Sequence, residues 1–434
     1  MNWAKQSLRE IFLEVLKHLD LKKSFDNFTP ILEKVNEYHF LNDKERKSNI
    51  RIVAIGKAAP TMVEEVIRRC DLDVVSGIIS TPVHLTHFPK GLQVYQGGHP
   101  LPNELSLQAA YAALQLLTNT YESDLVLFLI SGGGSALMDG PIMKEISFDD
   151  LRLLHHSLIT CGAGIEEVNT VRKHLSCIKG GRLALAAYPS RQITLYVSDV
   201  PEGKESYVAS GPTMPDESTI DDMYHVISQY KLANKFPDSI VRMLRSRQIP
   251  ETPKHVNQAF QNAEWHCLIS NGDALKITKE CCERRGWKCI IETAANELPV
   301  QEATEYLLTR LKNLKDLSGD TPVCVIAGGE VRVAVSGNGI GGRNQAFVLE
   351  CVERISEKRI AILSAGTDGI DGNSYAAGAV ADGNSFKRAN DFKLDTRKYL
   401  ANFDSSTFFS KLGDDIVVGA TGNNVRDVRI LLYW

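Results

Sequence analysis

The chain has 434 residues, 43% of them hydrophobic and 24% charged, and 49 Lys and Arg against 53 Asp and Glu give a net charge of −4. That length allows two or three domains with cores of their own, and the composition excludes wholesale disorder, collagen-like repeats and coiled coil. The charge balance is too far from basic for a nucleic-acid footprint, no stretch approaches the ~18 apolar residues of a membrane span, and nine cysteines with no Cys-x-x-Cys spacing argue against a zinc ribbon and for a reduced, cytoplasmic setting.

In chain order, residues 1–21 come first. Leu8, Ile11, Phe12, Val15, Leu16 and Leu19 fall at helical spacing, and Glu10, Glu14 and Asp20 are acids that a signal or transit peptide lacks. An amphipathic helix is expected there. Beyond it, short apolar runs end one after another in small, polar, Gly-rich loops. Residues 50–55 run into Gly56-Lys57-Ala58, residues 125–130 into Ser131-Gly132-Gly133-Gly134-Ser135, and residues 193–197 into Ser198-Asp199-Val200. Residues 323–327 run into Gly328-Gly329-Glu330, residues 360–363 into Ser364-Ala365-Gly366-Thr367-Asp368, and residues 416–418 into Gly419-Ala420. Runs without polar alternation suit strands covered on both faces. Helical patterns over 103–117, 148–161, 273–285, 299–314 and 344–355 lie between them, so an α/β protein with largely parallel sheets is expected. The weakly patterned stretch 236–264, with Pro237, Pro250 and Pro253, places a domain boundary, and the expected division is 1–240 and 241–434.

In parallel sheets, ligands bind outside the carboxyl ends of the strands, so these loops are candidates for one shared site. Successive glycines at 132–134 let backbone N–H groups converge on an anion, with Ser131 and Ser135 as hydroxyl donors and a following helix adding its dipole. The loop lacks both the Walker Gly-Lys-Ser/Thr ending and a Gly-x-Gly-x-x-Gly spacing. Lys57 can reach a phosphate or carboxylate as a point charge, or simply be solvated. Arg172-Lys173-His174 with Lys179 and Arg182 form a basic cluster, suited to a polyphosphate or to a solvated helix face. Asp199 can hold Mg²⁺, accept a hydroxyl proton or cap a turn. A strand-and-turn return over 331–339 would bring Glu330 near Arg343, which can clamp a carboxylate or phosphate, or make a structural ion pair. Asp368 is placed to face the site, and Asp371 reads equally well as a turn residue.

Taken together, Ile130-Ser-Gly-Gly-Gly-Ser-Ala-Leu137, Asn169-Thr-Val-Arg-Lys-His-Leu-Ser176, Ile178-Lys-Gly-Gly-Arg182, Ser198-Asp-Val200, Ala209-Ser-Gly-Pro-Thr213, Ala327-Gly-Gly-Glu330, Gly341-Gly-Arg-Asn-Gln345 and Ala365-Gly-Thr-Asp-Gly-Ile-Asp-Gly372 resemble the MOFRL-type (class II) glycerate kinases, in family order. The resemblance implies ATP-dependent phosphorylation of D-glycerate to 2-phosphoglycerate with Mg²⁺. It also implies a larger Rossmann-like domain and a smaller MOFRL-type α/β domain with the active site in the cleft between them. By motif position it puts the functional lysine on Lys57, acidic residues on Asp199, Glu330 and Asp368, and the arginine on Arg343. In that scheme the 131–135 loop and Lys173 bind the nucleotide phosphates, Lys57 and Arg343 the substrate, and Asp199 and Glu330 the metal. The chain departs from the family pattern at Gly419-Ala-Thr-Gly-Asn-Asn424, at Phe403-Asp404-Ser405 and at Thr81-Pro82-Val83-His84.

Two other readings stand beside this one. A nicotinamide-dependent hydroxypyruvate reductase would need the Gly-x-Gly-x-x-Gly unit that is missing here. A non-catalytic module sensing a phosphorylated metabolite would keep the anion loop and need no clustered carboxylates. A small molecule is the expected partner, with no nucleic acid and no membrane, and a homodimer is left open.

Overall fold

The computed structural model describes residues 2–40, 50–72, 76–85, 90–422 and 424–434; Met1 and Asn423, which fall in expected segments, lie outside them. The described chain divides into two compact units. One comprises Leu21–Ser198 and Glu202–Leu268, the other Met1–Asp20, Asp199–Pro201 and Ile269–Trp434.

The first unit is built on β1 (Ile50–Ile55), β2 (Ser76–Thr81), β3 (Leu92–Gln96), β4 (Leu125–Ile130), β5 (Arg191–Val197) and β6 (Ala263–Ile269), in the spatial order β3-β2-β1-β4-β5-β6. The pairs β2–β3, β1–β2, β1–β4 and β4–β5 are parallel. Every residue of β4 is buried, and in β1 only Arg51 is not, its guanidinium reaching Asp124 at 2.6 Å. Such strands have no polar face because helices cover both sides of the sheet. The strand order reverses between β1 and β4, and Ile55 pairs with Ile130 at their carboxyl ends. The 56–58 and 131–135 loops therefore leave the sheet side by side at its switch point, where open α/β sheets bind ligands. A second apolar core, containing Leu151, Leu154, Val171, Met223, Ile240 and Leu244, holds the helices Phe148–Ile159, Ile165–Leu175, Ile220–Gln229 and Asp238–Ser246 together.

The second unit carries β7 (Lys288–Glu292), β8 (Val323–Ala327), β9 (Ile360–Gly366), β10 (Gly378–Asp382), β11 (Asp415–Ile416) and β12 (Asp427–Tyr433), ordered β11-β10-β9-β12-β8-β7. Here the sequence expectation of parallel pairing fails. Only β7–β8 is parallel; β12 inserts antiparallel between β8 and β9, and β10 and β11 follow antiparallel. Burial on both faces makes an antiparallel central strand as uniformly apolar as a parallel one, so the pattern carries no direction.

Other boundaries also differ. The expected strand at 416–418 stops at Ile416, and Val417 is exposed. The expected strand at 331–335 is a single bridge from Arg332 to Pro299, with Val335 in solvent. The compact units depart from the expected division at 240 in three places, one of them Asp199–Pro201, which groups with the second unit. Residues 241–268 stay with the first unit, where β6 extends its sheet, Trp265 Nε1 donates to the Thr213 carbonyl at 2.9 Å and Arg182 to that of Pro250 at 3.0 Å. The N-terminal helix Asn2–His18 belongs to the second unit. Its apolar stripe of Leu8, Ile11, Phe12 and Val15 is fully buried, and Lys5 pairs with Asp414 at 2.8 Å. An amphipathic stripe announces that a face is buried, not which surface buries it.

Candidate active site

In the first unit, the two switch-point loops are laced together. Lys57 N donates to the Gly132 carbonyl at 3.1 Å, and Ala58 N to Ser131 Oγ at 3.0 Å. Gly56 has φ +127°, and a Cβ there would fall 2.5 Å from the Ser131 carbonyl oxygen, so only glycine lets the loops approach this closely. Ser131 is buried and its hydroxyl accepts from the 56–58 turn, a bond that leaves its own proton unspent. Ser135 Oγ lies 2.8 Å from Ser210 Oγ, which donates to Asn169 Oδ1 at 2.9 Å. With the Ser210 proton spent on that acceptor, Ser135 is the donor of the pair and its proton is engaged there.

The backbone of the loop is open as well. The N–H groups of Gly132, Gly133 and Gly134 make no hydrogen bond among the described residues. Gly133, at φ +83°, has the left-handed backbone form in which successive N–H groups can converge on an anion. The helix that follows is a single turn, Gly134–Leu137, so the expected helix dipole contributes little. The Lys57 side chain is exposed. His99, which sequence reasoning missed, lies over this loop: a Cβ on Gly133 would come within 3.1 Å of its ring. Burial, and then the Lys57 charge, lower its pKa, so a neutral imidazole stands there. Its signal was present in Gly97-Gly98-His99 directly after β3, one more glycine pair at a strand's carboxyl end.

The basic cluster is not a solvated face. Lys173 is buried, pairs with Asp216 at 3.0 Å, and sits 4.5 Å from the centre of the Tyr207 ring, so its charge is already matched by a carboxylate. His174 is fully buried between the Thr170 carbonyl and Glu251, at 2.8 and 2.9 Å.

In the second unit, the helix Arg343–Val352 begins after Gly341-Gly342. Asp371 caps it: Oδ1 accepts from Asn344 N at 3.0 Å and Oδ2 from Gln345 N at 2.8 Å. A Cβ on Gly342 would fall 2.2 Å from Asp371 Oδ1, so the cap requires glycine there. Arg343 then projects onto two carboxylates. Its Nε and Nη2 donate to Asp427 at 2.8 and 3.1 Å, and Nη2 also meets Glu330 Oε1 at 2.8 Å. Glu330 and Arg343 thus come together as expected, through an irregular loop rather than a strand return. Asp427, at the start of β12, is completely buried and also accepts from Asn344 Nδ2 at 2.9 Å and Arg429 Nη2 at 2.9 Å. The half-buried Asp368 joins this group: Gly366 separates the two carboxylates, a Cβ on it lying 3.1 Å from Asp368 Oδ1 and 3.6 Å from Asp427 Oδ1. Asp199 groups with this unit as well.

Burial opposes charge throughout this cluster, and the neighbours decide each outcome. Asp427 and Glu330 outweigh burial at Arg343 and hold it protonated. Arg343 and Arg429 outweigh it at Asp427, whose pKa stays below the ordinary value. At Glu330 burial wins over Arg343, helped by the Asp427 and Asp199 charges, and its pKa is raised. Burial pushes Asp371 up to about 6, against its two backbone hydrogen bonds. A carboxyl raised in the fold binds its proton more tightly there than in the unfolded chain. Its contribution to stability is therefore present below the unfolded value near 4 and is lost as pH rises to about 6. Denaturant titrations across that window should show this fall in the wild type and a flatter profile in Asp371→Asn; equal slopes would contradict the assignment.

The MOFRL family matches residues 323–427, and a domain of unknown function, DUF4147, matches residues 7–245. A D-glycerate 2-kinase from Thermotoga maritima is 33% identical over 429 residues, 98% of each chain. The chain belongs to the glycerate kinase family. Its glycerate kinase fold superposes on the crystal structure of a Thermotoga maritima glycerate kinase with a TM-score of 0.84, at 32% identity and over all of both chains. A relative from Agrobacterium vitis, named for hydroxypyruvate reductase, is 33% identical over all of this chain and 96% of its own. Among the described residues of this glycerate kinase family member, no helix is long and apolar enough to cross a membrane.

Proposed function

We propose that the protein phosphorylates D-glycerate at its 2-hydroxyl with ATP, giving 2-phosphoglycerate and ADP. The observation that carries this reading is the full-length similarity to a D-glycerate 2-kinase. The N–H groups of the 132–134 loop, which make no hydrogen bond among the described residues, support it from a separate direction.

Phosphoryl transfer depends on positioning and on neutralising charge. The N–H groups of Gly132, Gly133 and Gly134 hold phosphate oxygens, and exposed Lys57 adds its charge. Neutral His99 beside them adds no repulsion toward Lys57. Arg343 has Nη1 unengaged among the described residues, and presents it to the substrate carboxylate or the transferring phosphoryl group. Asp368 takes the proton of the 2-hydroxyl as its oxygen bonds to phosphorus and the bond to ADP breaks. Glu330 and Asp199 would hold a divalent magnesium ion, because both offer hard oxygens, and burial, then the Asp427 and Asp199 charges, make the Glu330 carboxylate costly to keep ionised without a cation. When bound, it supplies charge neutralisation at the phosphate oxygens.

Phosphorus NMR with ATP, Mg²⁺ and D-glycerate tests the reading: a 2-phosphoglycerate signal is expected. A 3-phosphoglycerate signal would overturn the hydroxyl assigned, and no phosphoglycerate from folded protein would overturn the kinase. The reductase reading has a named relative behind it, but the β1 turn is Gly56-Lys57-Ala58 and not Gly-x-Gly-x-x-Gly. NADH absorbance with hydroxypyruvate should stay constant. Lys57→Met should raise the KM for ATP about tenfold or more and lower turnover, since one charge toward phosphate is lost; unchanged kinetics would remove Lys57 from the site.

A further inference from the structure

Three cysteines from a helix and two strands converge in the second unit. Cys289 in β7 and Cys324 in β8 are register partners in a parallel pair, which puts their side chains on the same face of the sheet. Cys282, in the last turn of the helix Asn271–Glu283, comes down onto that face with its Sγ 3.9 Å from that of Cys324. All three sulfurs lie within 4.8 Å of one another. Cys282 and Cys324 are fully buried, and Cys289, on the edge strand of the sheet, is 9% exposed. The neighbouring thiol of Cys281 is turned to Arg284, its Sγ 3.2 Å from the guanidinium, and takes no part.

Three thiolates bound to one centre at about 2.3 Å stand about 4 Å apart. The observed triangle needs shifts of only tenths of an ångström to reach that size, and two of its corners lie on adjacent strands that hold them rigidly. An all-sulfur donor set selects soft ions, and zinc in such sites takes a fourth ligand. We propose that Cys282, Cys289 and Cys324 form a trithiolate site for one soft, thiophilic cation, monovalent copper first among the first-row ions. Binding replaces three S–H bonds by three metal–sulfur bonds and releases the protons to buffer, with no change of oxidation state. The edge position of Cys289 is the route of entry.

The test is an anaerobic titration of the whole protein with Cu(I) against the chelator bathocuproine disulfonate. The wild type should hold one copper per chain, with three sulfur neighbours by X-ray absorption and a raised Tm, since the ion binds the folded state. Cys289→Ser should lose affinity by about 100-fold or more, while Cys161→Ser, in the other unit, should match the wild type. Circular dichroism checks folding, and Cys324→Ala replaces Cys289→Ser if that variant does not fold. Folded wild type that retains no copper, or a Cys289→Ser protein that holds it as tightly as wild type, would overturn the proposal.

Discussion

Arg343→Ala should lower kcat about 10³-fold, the scale on which arginines that stabilise phosphoryl-transfer charge act. The guanidinium is not a mobile surface charge. Asp427 grips its Nε and Nη2 edge and Glu330 meets Nη2, so Nη1 points in one direction without losing side-chain entropy on binding. Arg343→Lys keeps the charge and loses the fork, because an ammonium cannot engage both oxygens of Asp427 in the plane of the guanidinium. It should recover less than a tenth of the lost activity. The alanine variant should still fold, since Arg429 and Asn344 continue to satisfy buried Asp427. Steady-state kinetics beside a thermal melt separate the two effects. Turnover close to wild type in Arg343→Ala would take the residue out of the reaction.

The largest stability effect belongs to a different cluster, in the first unit. Asp139, His155, Lys179 and Ser176 are all buried. Asp139 Oδ2 meets His155 Nε2 at 2.6 Å and the Lys179 ammonium, and Oδ1 accepts from Ser176 Oγ at 2.6 Å and Gly140 N at 2.9 Å. Burial acts against the carboxylate, but Lys179 and His155 outweigh it and hold its pKa far below the ordinary range. Burial also keeps His155 neutral, so its Nε2 carries the proton donated to Asp139. Lys179→Met removes the one full positive charge touching that carboxylate and leaves it buried. The expected cost is about 3–5 kcal/mol, read as a lower denaturant midpoint with an unchanged slope. Adding Asp139→Asn to Lys179→Met should restore part of the loss, because the uncompensated charge is then gone. A double variant no more stable than Lys179→Met would mean that packing, not charge, sets the cost.

These two clusters show how far sequence reasoning reaches. The apolar runs at 50–55, 125–130 and 323–327 coincide with β1, β4 and β8, because strands covered on both faces must be apolar at every position. The helical pattern at 103–117 coincides with the helix Glu104–Leu117, of which Asn103 proves to be the cap rather than the first residue. The motif order alone carries the family, which the full-length similarity bears out. The 131–135 loop stands at the sheet's switch point, where Ser135 is tied to Ser210, Ser131 accepts from Ala58 N, and the Gly132–Gly134 N–H groups make no hydrogen bond among the described residues.

Local pattern determined the α/β class, the apolar strands and which loops carry charge and glycine. Tertiary structure decided what each charge touches. Arg343 and its grip, Asp427, are 84 residues apart and meet only because β12 inserts antiparallel between β8 and β9. Lys173 is closed on Asp216, Asp371 on a helix N-terminus, and the N-terminal helix on the C-terminal unit. In each case the sequence holds the residue's charge or apolar stripe, a property of the side chain alone. The partner depends on strand order and direction, which burial on both faces leaves unwritten in the hydrophobic pattern.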